Sequence, residues 1–410
     1  MKIIVIGGGA AGFFSAITIL ENNPEADVTI LERGKDVLQK VKISGGGRCN
    51  VTHACFINRE LVKNYPRGEK ALMSPFSRFA AGETIEWFEK QGVKLKIEDD
   101  GRMFPVTDSS QTIVDCLYGA AVRFGVKILR GYRVEALQSI DNQFIVKTPN
   151  QDFKVDKVVI AAGSSTGMWS LLESLGHTII QPVPSLFTFN IKDERIKDLA
   201  GLSVPNAEVT VEGTKLSSSG PLLITHWGLS GPGILKLSAW GARELSDKNY
   251  HFKIKINWTG FESFEDVLGF LNEQKLNTAK KQISNTPLYN ISSRLWLRFL
   301  MAAQIPTELK WADSNKKQLI ALAEELTKGA FEVKGKSTFK DEFVTAGGVK
   351  LDEVNFKTFE SKIVPNLYFA GEILDIDAIT GGFNFQAAWT GGWIVGNAIG
   401  DERLEMGDWR

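Results

Sequence analysis

Lys2-Ile-Ile-Val-Ile-Gly-Gly-Gly-Ala-Ala-Gly12 opens the chain, and its reading decides the fold. Lys2 to Ile6 is a short apolar run, the pattern of a strand buried on both faces of a parallel sheet. Gly7, Gly9 and Gly12 then supply G-x-G-x-x-G, and Phe13, Ala16, Ile17 and Leu20 follow at helical spacing. A second apolar run, Val28 to Leu31, ends in Glu32, twenty residues beyond Gly12. Strand, glycines, helix, strand and acid in this order are the pattern of a dinucleotide site. The glycines provide a tight turn, room for a pyrophosphate and close packing of helix on sheet, while the carboxylate meets ribose hydroxyls. The helix N-terminus offers free N–H groups and the positive end of its dipole to the phosphates.

Ten residues past Glu32 stands Lys42-Ile-Ser-Gly-Gly-Gly-Arg-Cys-Asn50. It is a poor helix and a poor strand, suited to close approach of the backbone to a cofactor ring. An irregular stretch is expected from Asn50 to Pro75, then a helix near Thr84 to Gln91. Arg102 to Pro105 reads as a turn and Gln111 to Phe124 as an amphipathic helix. Val126–Leu129 and Tyr132–Leu137 read as strands, and Phe144–Lys147 with Phe153–Val155 as a hairpin. Lys157 to Gly163 is a buried strand ending in small residues, and Asn366 to Gly371 is a second one that leads into Glu372. Small residues at strand ends let an extended cofactor lie over the sheet edge.

Composition fits a soluble cytoplasmic enzyme. At 410 residues the chain is long for one core, and 48 basic residues balance 48 acidic ones. No apolar stretch reaches spanning length, and the N-terminal strand is broken too early for a signal peptide. Cys49, Cys55 and Cys116 make no disulfide framework, and neither they nor the four histidines show metal-site spacing. No metal is expected.

The order of these segments resembles the two-dinucleotide-fold flavoproteins of the glutathione-reductase type, in which FAD lies extended between an N-terminal and a distant C-terminal motif. Here the C-terminal motif is Gly371 to Asp377 followed by Thr380-Gly-Gly-Phe-Asn-Phe-Gln386. A carboxylate there can take ribityl hydroxyls, and Gly381 and Gly382 can offer N–H groups to the flavin. Gln386 to Ile399 is a small-residue helix able to pack closely on the sheet. Lys42–Asn50, Thr225-His-Trp-Gly-Leu-Ser-Gly-Pro232, Thr345-Ala-Gly-Gly-Val349 and Gly371–Gln386 together are similar to one bacterial flavoprotein family. Its members are labelled NAD(P)/FAD-dependent oxidoreductase, aminoacetone-oxidase-like protein and ribosomal-RNA dihydrouridine synthase. The resemblance implies an α/β, Rossmann-like FAD domain interrupted by a small antiparallel β-barrel and a helical bundle. The FAD domain is expected at 1–186 and 345–410, the barrel at 187–257 and 330–344, and the helical part at 258–329. The expected cofactor residues are Gly7, Gly9, Ala11, Gly12, Glu32, Arg33, Lys42, Gly45, Gly46, Gly47, Arg48, Asn50, Val134, Ala162, Gly163, Gly371, Glu372, Asp377, Gly382, Asn384 and Gln386.

The residues support the interruption independently. From Leu186 short alternating strands take over (Phe187–Ile191, Glu208–Glu212, Phe252–Asn257), then helices at Phe264–Leu271, Ser293–Met301 and Lys316–Leu326, with strand character again at Ala330–Val333. From residue 275 to 340 there are 12 Lys or Arg, Arg294 and Arg298 among them, against 5 Asp or Glu, a surplus of seven on a neutral chain. That surplus is either a solvated helical face or a docking surface for ribosomal RNA.

Reduced flavin carries negative charge near N1 and O2, which the amides of Gly45–Gly47 and the cations Lys42 or Arg48 can stabilise. Reduction of a polarised C=C also needs a proton donor. Cys49 is either that acid or a small packed residue, and His226 is the alternative acid. Three functions follow: a flavin reductase acting on a uridine C=C in ribosomal RNA, a small-molecule oxidase or ene-reductase, and a non-catalytic flavin-binding protein. With no second G-x-G-x-x-G, NAD(P)H is expected as a transient reductant or not at all.

Overall fold

The computed structural model describes residues 1–260, 262–337 and 344–400. Parts of the expected domains, at 261, 338–343 and 401–410, lie outside the described residues. The chain forms two compact units, one from Met1–Val183 with the described residues from 344 on, the other from Pro184 to residue 337.

In the first unit, strand β1 (Lys2–Ile6) lies at the heart of a seven-stranded sheet. It pairs in parallel with β2 (Asp27–Glu32) on one side and Lys157–Ile160 on the other. Lys127–Arg130 extends the sheet beyond β2 in parallel. Leu367–Phe369, more than two hundred residues downstream, pairs in parallel with Val158–Ile160. An antiparallel hairpin of Val354–Asn355 and Glu360–Ser361 closes that edge. Ile3 to Ile6 are all buried, so the unbroken apolar run does what a strand covered on both faces requires.

Helix α1 (Ala10–Asn22) starts at Gly9, and every residue from Ala11 to Leu20 is buried. Its cover is the C-terminal helix, Phe383–Gly400, which sequence reasoning placed against the sheet. The reason is a row of glycines four residues apart. A Cβ at Gly392 would lie 2.9 Å from the Ala11 carbonyl oxygen; one at Gly396, 2.3 Å from the Thr18 Cβ; one at Gly400, 2.7 Å from the Asn22 Cβ. No side chain fits between the two backbones. Gly396→Val is therefore expected to lower unfolding stability by about 3 kcal/mol or more, at the upper end of overpacking costs. Urea denaturation reads this directly, and an unchanged midpoint would contradict the contact.

Several local expectations change. Arg102–Pro105 is a strand, not a turn, lying between Leu95–Ile97 and Thr52–His53 with Met103 and Phe104 buried. Tyr132–Glu135 leaves the ladder, and the strand there spans Ala136–Ile140. The stretch from Asn50 to Pro75 contains short helices at Asn58–Leu61 and Glu69–Phe76, the latter with Pro75 in its last turn.

The second unit is a closed six-stranded antiparallel barrel with helices. Thr188–Ile191 pairs with both Gly228–Ser230 and Gly329–Ser337, which closes the ring. Ser217–Ile224, absent from the sequence reading, bridges Ser203–Val211 and Gly228–Ser230. The Thr225–Pro232 motif thus includes a strand, and Pro232 starts a helix that runs to Trp240. Among the described residues no helix is long and apolar enough to cross a membrane.

Candidate cofactor and active site

A cleft of about 440 Å³ opens in the first unit beside the ends of β1 and β2. Gly7, Glu32, Arg33, Val134 and Ala162 line it, together with Tyr132, Arg133 and the start of helix Thr166–Ser174. Tyr132 to Glu135 gives up strand pairing here and forms one wall. Glu32 is aimed by two amides: Gly8 N donates to one carboxylate oxygen at 2.9 Å and Gly34 N to the other at 2.7 Å.

The three glycines of the motif have separate roles. A Cβ on Gly7 would lie 2.4 Å from the Ala161 carbonyl oxygen, and one on Gly12 would lie 2.0 Å from that of Gly7. Both are needed by the protein's own packing. Gly9 differs, because a Cβ there meets nothing within 4 Å. Its open space lies at the N-terminus of α1, where free N–H groups and the helix dipole favour an anion. Ala11, two residues on, is buried, and a Cβ on Gly371 would lie 3.0 Å from the Ala11 Cβ.

The glycine run has a left-handed backbone. The helix that begins at Gln39 loses helical geometry at Ser44, and Gly45, Gly46 and Gly47 follow with φ of +58°, +66° and +84°. Three such residues in succession are cheap only for glycine. All three are exposed, and Gly46 and Gly47 face open space. Lys42 is also exposed, and its carbonyl accepts from the Ser110 hydroxyl at 2.5 Å. Asn50 joins this loop to the far end of the chain. Its amide oxygen accepts from Gly382 N at 2.9 Å, while its amide nitrogen donates to the Met103 and Thr52 carbonyls. The Trp389 indole adds a hydrogen bond to the Val51 carbonyl at 2.9 Å. The two segments expected to flank a flavin are therefore physically adjacent.

Other expected cofactor groups are engaged by the protein itself. Arg48 pairs with Glu98 at 2.6 Å and Asp108 at 3.2 Å and lies over the Phe104 ring. Glu372 pairs with Lys40 at 2.6 Å and accepts from Thr345 N at 3.0 Å; Gly163 sits beside it. Asp377 is fully buried and held by the Arg67 guanidinium through both oxygens. Asn384 clamps its own loop by two hydrogen bonds to the Ala378 backbone. Gln386 is buried among the hydroxyls of Thr52, Thr84 and Thr390. Asp377, Asn384 and Gln386, expected from sequence to meet the cofactor, are each committed to protein partners here.

Cys49 is wholly buried with φ +59°, and burial pushes its thiol up to about 12. A thiol so raised stays protonated, and with no exposed surface it is a packed residue in this structure. His226 belongs to the second unit, exposed on a turn that Thr225 stiffens by accepting from Trp227 N and Gly228 N. Sequence reasoning passed over Lys40, Arg67 and His53. The His53 ring stacks on Phe383 at 4.7 Å beside Gly381, and burial lowers its pKa. No local pattern marks these three, since their partners lie tens to hundreds of residues away.

The site thus combines a dinucleotide-type parallel sheet, an open glycine at the start of its first helix, an acid at the end of its second strand and a returning C-terminal segment. The chain matches the HI0933-like protein Rossmann domain over residues 1–398 and belongs to that family; it is an enzyme of the FAD-dependent oxidoreductase class. It is 28% identical to the 3-dehydro-bile acid delta(4,6)-reductase of Clostridium scindens, covering 98% of this chain and 99% of that one. To the ribosomal RNA dihydrouridine synthase of Escherichia coli it is 29% identical, covering 95% and 96%. In fold it is similar to 3-ketosteroid-delta4-(5alpha)-dehydrogenase of Rhodococcus jostii, with a TM-score of 0.51 at 12% identity over 98% of this chain and 97% of that one.

Proposed function

We propose that the enzyme reduces a carbon–carbon double bond conjugated to a carbonyl, with NAD(P)H as transient reductant and uridine of large-subunit ribosomal RNA as substrate. The observation that carries the redox reading is the open backbone of two segments: Gly9 at the helix start, and the exposed Gly45–Gly47 run, fixed to Gly382 through Asn50. Glu32, Arg33, Val134 and Ala162 would hold the adenosine end of FAD, and Gly9 its pyrophosphate. The amides of Gly45–Gly47, with Lys42 exposed one turn away, would face the ring and favour its anionic reduced form. Once reduced by NAD(P)H, bound FAD would supply the hydride for such a reduction, and a proton on the other carbon completes it.

The choice of double bond rests on the relatives. Dihydrouridine formation saturates a C=C beside a uracil carbonyl, and a delta(4,6)-reductase acting on a 3-dehydro bile acid saturates C=C bonds conjugated to a ketone. The chemistry is shared although the substrates are not. The surplus of seven positive charges between residues 275 and 340 favours the RNA substrate. A second reading, a small-molecule ene-reductase, is favoured by the bile-acid reductase matching along nearly the whole chain.

Deleting the gene and measuring dihydrouridine in ribosomal RNA by mass spectrometry tests the choice. Loss of dihydrouridine from the large-subunit RNA, restored by complementation, is the expected result. Unchanged content, with the purified flavoprotein reducing small enones, would replace the first reading by the second.

A further inference from the structure

Six lysines of the second unit gather on one braced framework. Residues 279–283 run antiparallel to 309–312: Ile283 N donates to the Leu309 carbonyl, Trp311 N to that of Lys281 and Ala312 N to that of Ala279, each at 3.0 Å. Gln282 and Lys310 face each other across this ribbon. Two buried indoles hold it from beneath, Trp311 Nε1 donating to the Thr286 hydroxyl at 2.7 Å and Trp296 Nε1 to the Ile283 carbonyl at 2.8 Å. Lys275, on helix Phe264–Asn277, reaches the Ser314 carbonyl at 2.5 Å. It thereby ties that helix to the start of helix Lys316–Lys328.

Lys280, Lys281, Lys310, Lys316 and Lys317 are exposed, and none forms an ion pair with another described residue. The acids on these segments are Glu308, which accepts from the Thr307 hydroxyl, and exposed Asp313; Glu273 lies on the preceding helix. Lys316 and Lys317 occupy the first turn of their helix, which has no acidic residue. That end of a helix dipole disfavours cations, so local stability does not account for them. An anion bound over the ribbon would.

We infer that the 279–283/309–312 ribbon and the start of helix Lys316–Lys328 form a docking surface for the phosphate backbone of folded RNA, an inference that rests on the ribosomal-RNA reading above. The ribbon's tryptophans are buried, so no aromatic face is offered to bases, and lysines act as point charges on phosphates. Docking is then tolerant of sequence, and selection of the uridine belongs to the redox site.

The test uses the FAD-loaded enzyme and deproteinised large-subunit ribosomal RNA, titrated by fluorescence anisotropy over a range of salt. Lys316→Glu/Lys317→Glu is expected to weaken binding about tenfold or more and to flatten the salt dependence by about two, near 0.9 per lost phosphate contact. Its melting temperature should stay level or rise, because acids suit a helix start. Lys280→Glu/Lys281→Glu should lose affinity similarly while FAD content stays at the parent level. Binding within twofold of the parent in both variants, or no binding by the parent, overturns the surface. The parent reading fails separately: a deletion strain with unchanged dihydrouridine removes uridine reduction whatever the lysine variants do.

Discussion

Gly9→Val is expected to yield a folded but colourless protein. Gly9 has φ −96° and ψ −170°, extended backbone that valine adopts, and its new side chain would enter open space in the folded chain. The cost to folding should stay within about 1 kcal/mol, the difference between a tolerated and a poor helix N-cap. That same space is where a pyrophosphate must approach the helix, so FAD affinity should fall more than about 100-fold, or about 2.7 kcal/mol. Gly12→Val behaves differently, because its Cβ is driven to 2.0 Å from the Gly7 carbonyl oxygen and the β1–α1 turn cannot form. Both variants lose flavin colour; only Gly12→Val also loses its cooperative melt. A yellow Gly9→Val protein would show that the cradle lies elsewhere.

Arg67→Ala should destabilise the protein by about 3–5 kcal/mol, the usual result of stripping a buried ion of its partner. Asp377 has no exposed surface, and Arg67 approaches it through two nitrogens. The pair sits in a seam that also carries the Tyr65 hydroxyl donating to the Phe383 carbonyl and Ile379 N donating to that of Asn64. Replacing both partners by apolar residues, Arg67→Met/Asp377→Leu, should recover much of the loss, since a buried ion pair is often no better than packed hydrocarbon. Denaturant midpoints measure both effects. FAD titration of the double variant then separates Asp377 as wall from Asp377 as ligand: retained affinity fits a wall, and lost affinity a ligand.

The β1–glycine–α1–β2–Glu32 unit was legible because each element is specified by neighbours within a few residues. The alternating strands Phe252–Asn257 and Ala330–Val333 were legible for the same reason. Ser217–Ile224 was not, since Ser217-Ser-Ser-Gly-Pro221 has turn chemistry and becomes a strand only between two partners. Arg102–Pro105 likewise needs Leu95–Ile97 and Thr52–His53 beside it. In the site, the open glycines could be located from sequence because their conformational freedom is intrinsic. The commitments of Arg48, Asp377 and Gln386 could not, because Glu98, Arg67 and the threonine hydroxyls are supplied by the tertiary fold.

The row of glycines on the C-terminal helix also sets a schedule. The face of α1 that receives Gly392, Gly396 and Gly400 is synthesised within the first 22 residues, and its partner only from residue 383 onward. At about 5–20 residues per second, that apolar face waits roughly 20 to 70 s on the ribosome for its cover. The sheet waits with it, because Leu367–Phe369 joins Val158–Ile160 only after the whole barrel has been translated. The first unit therefore completes its sheet only after the second, which interrupts it in sequence, has been translated.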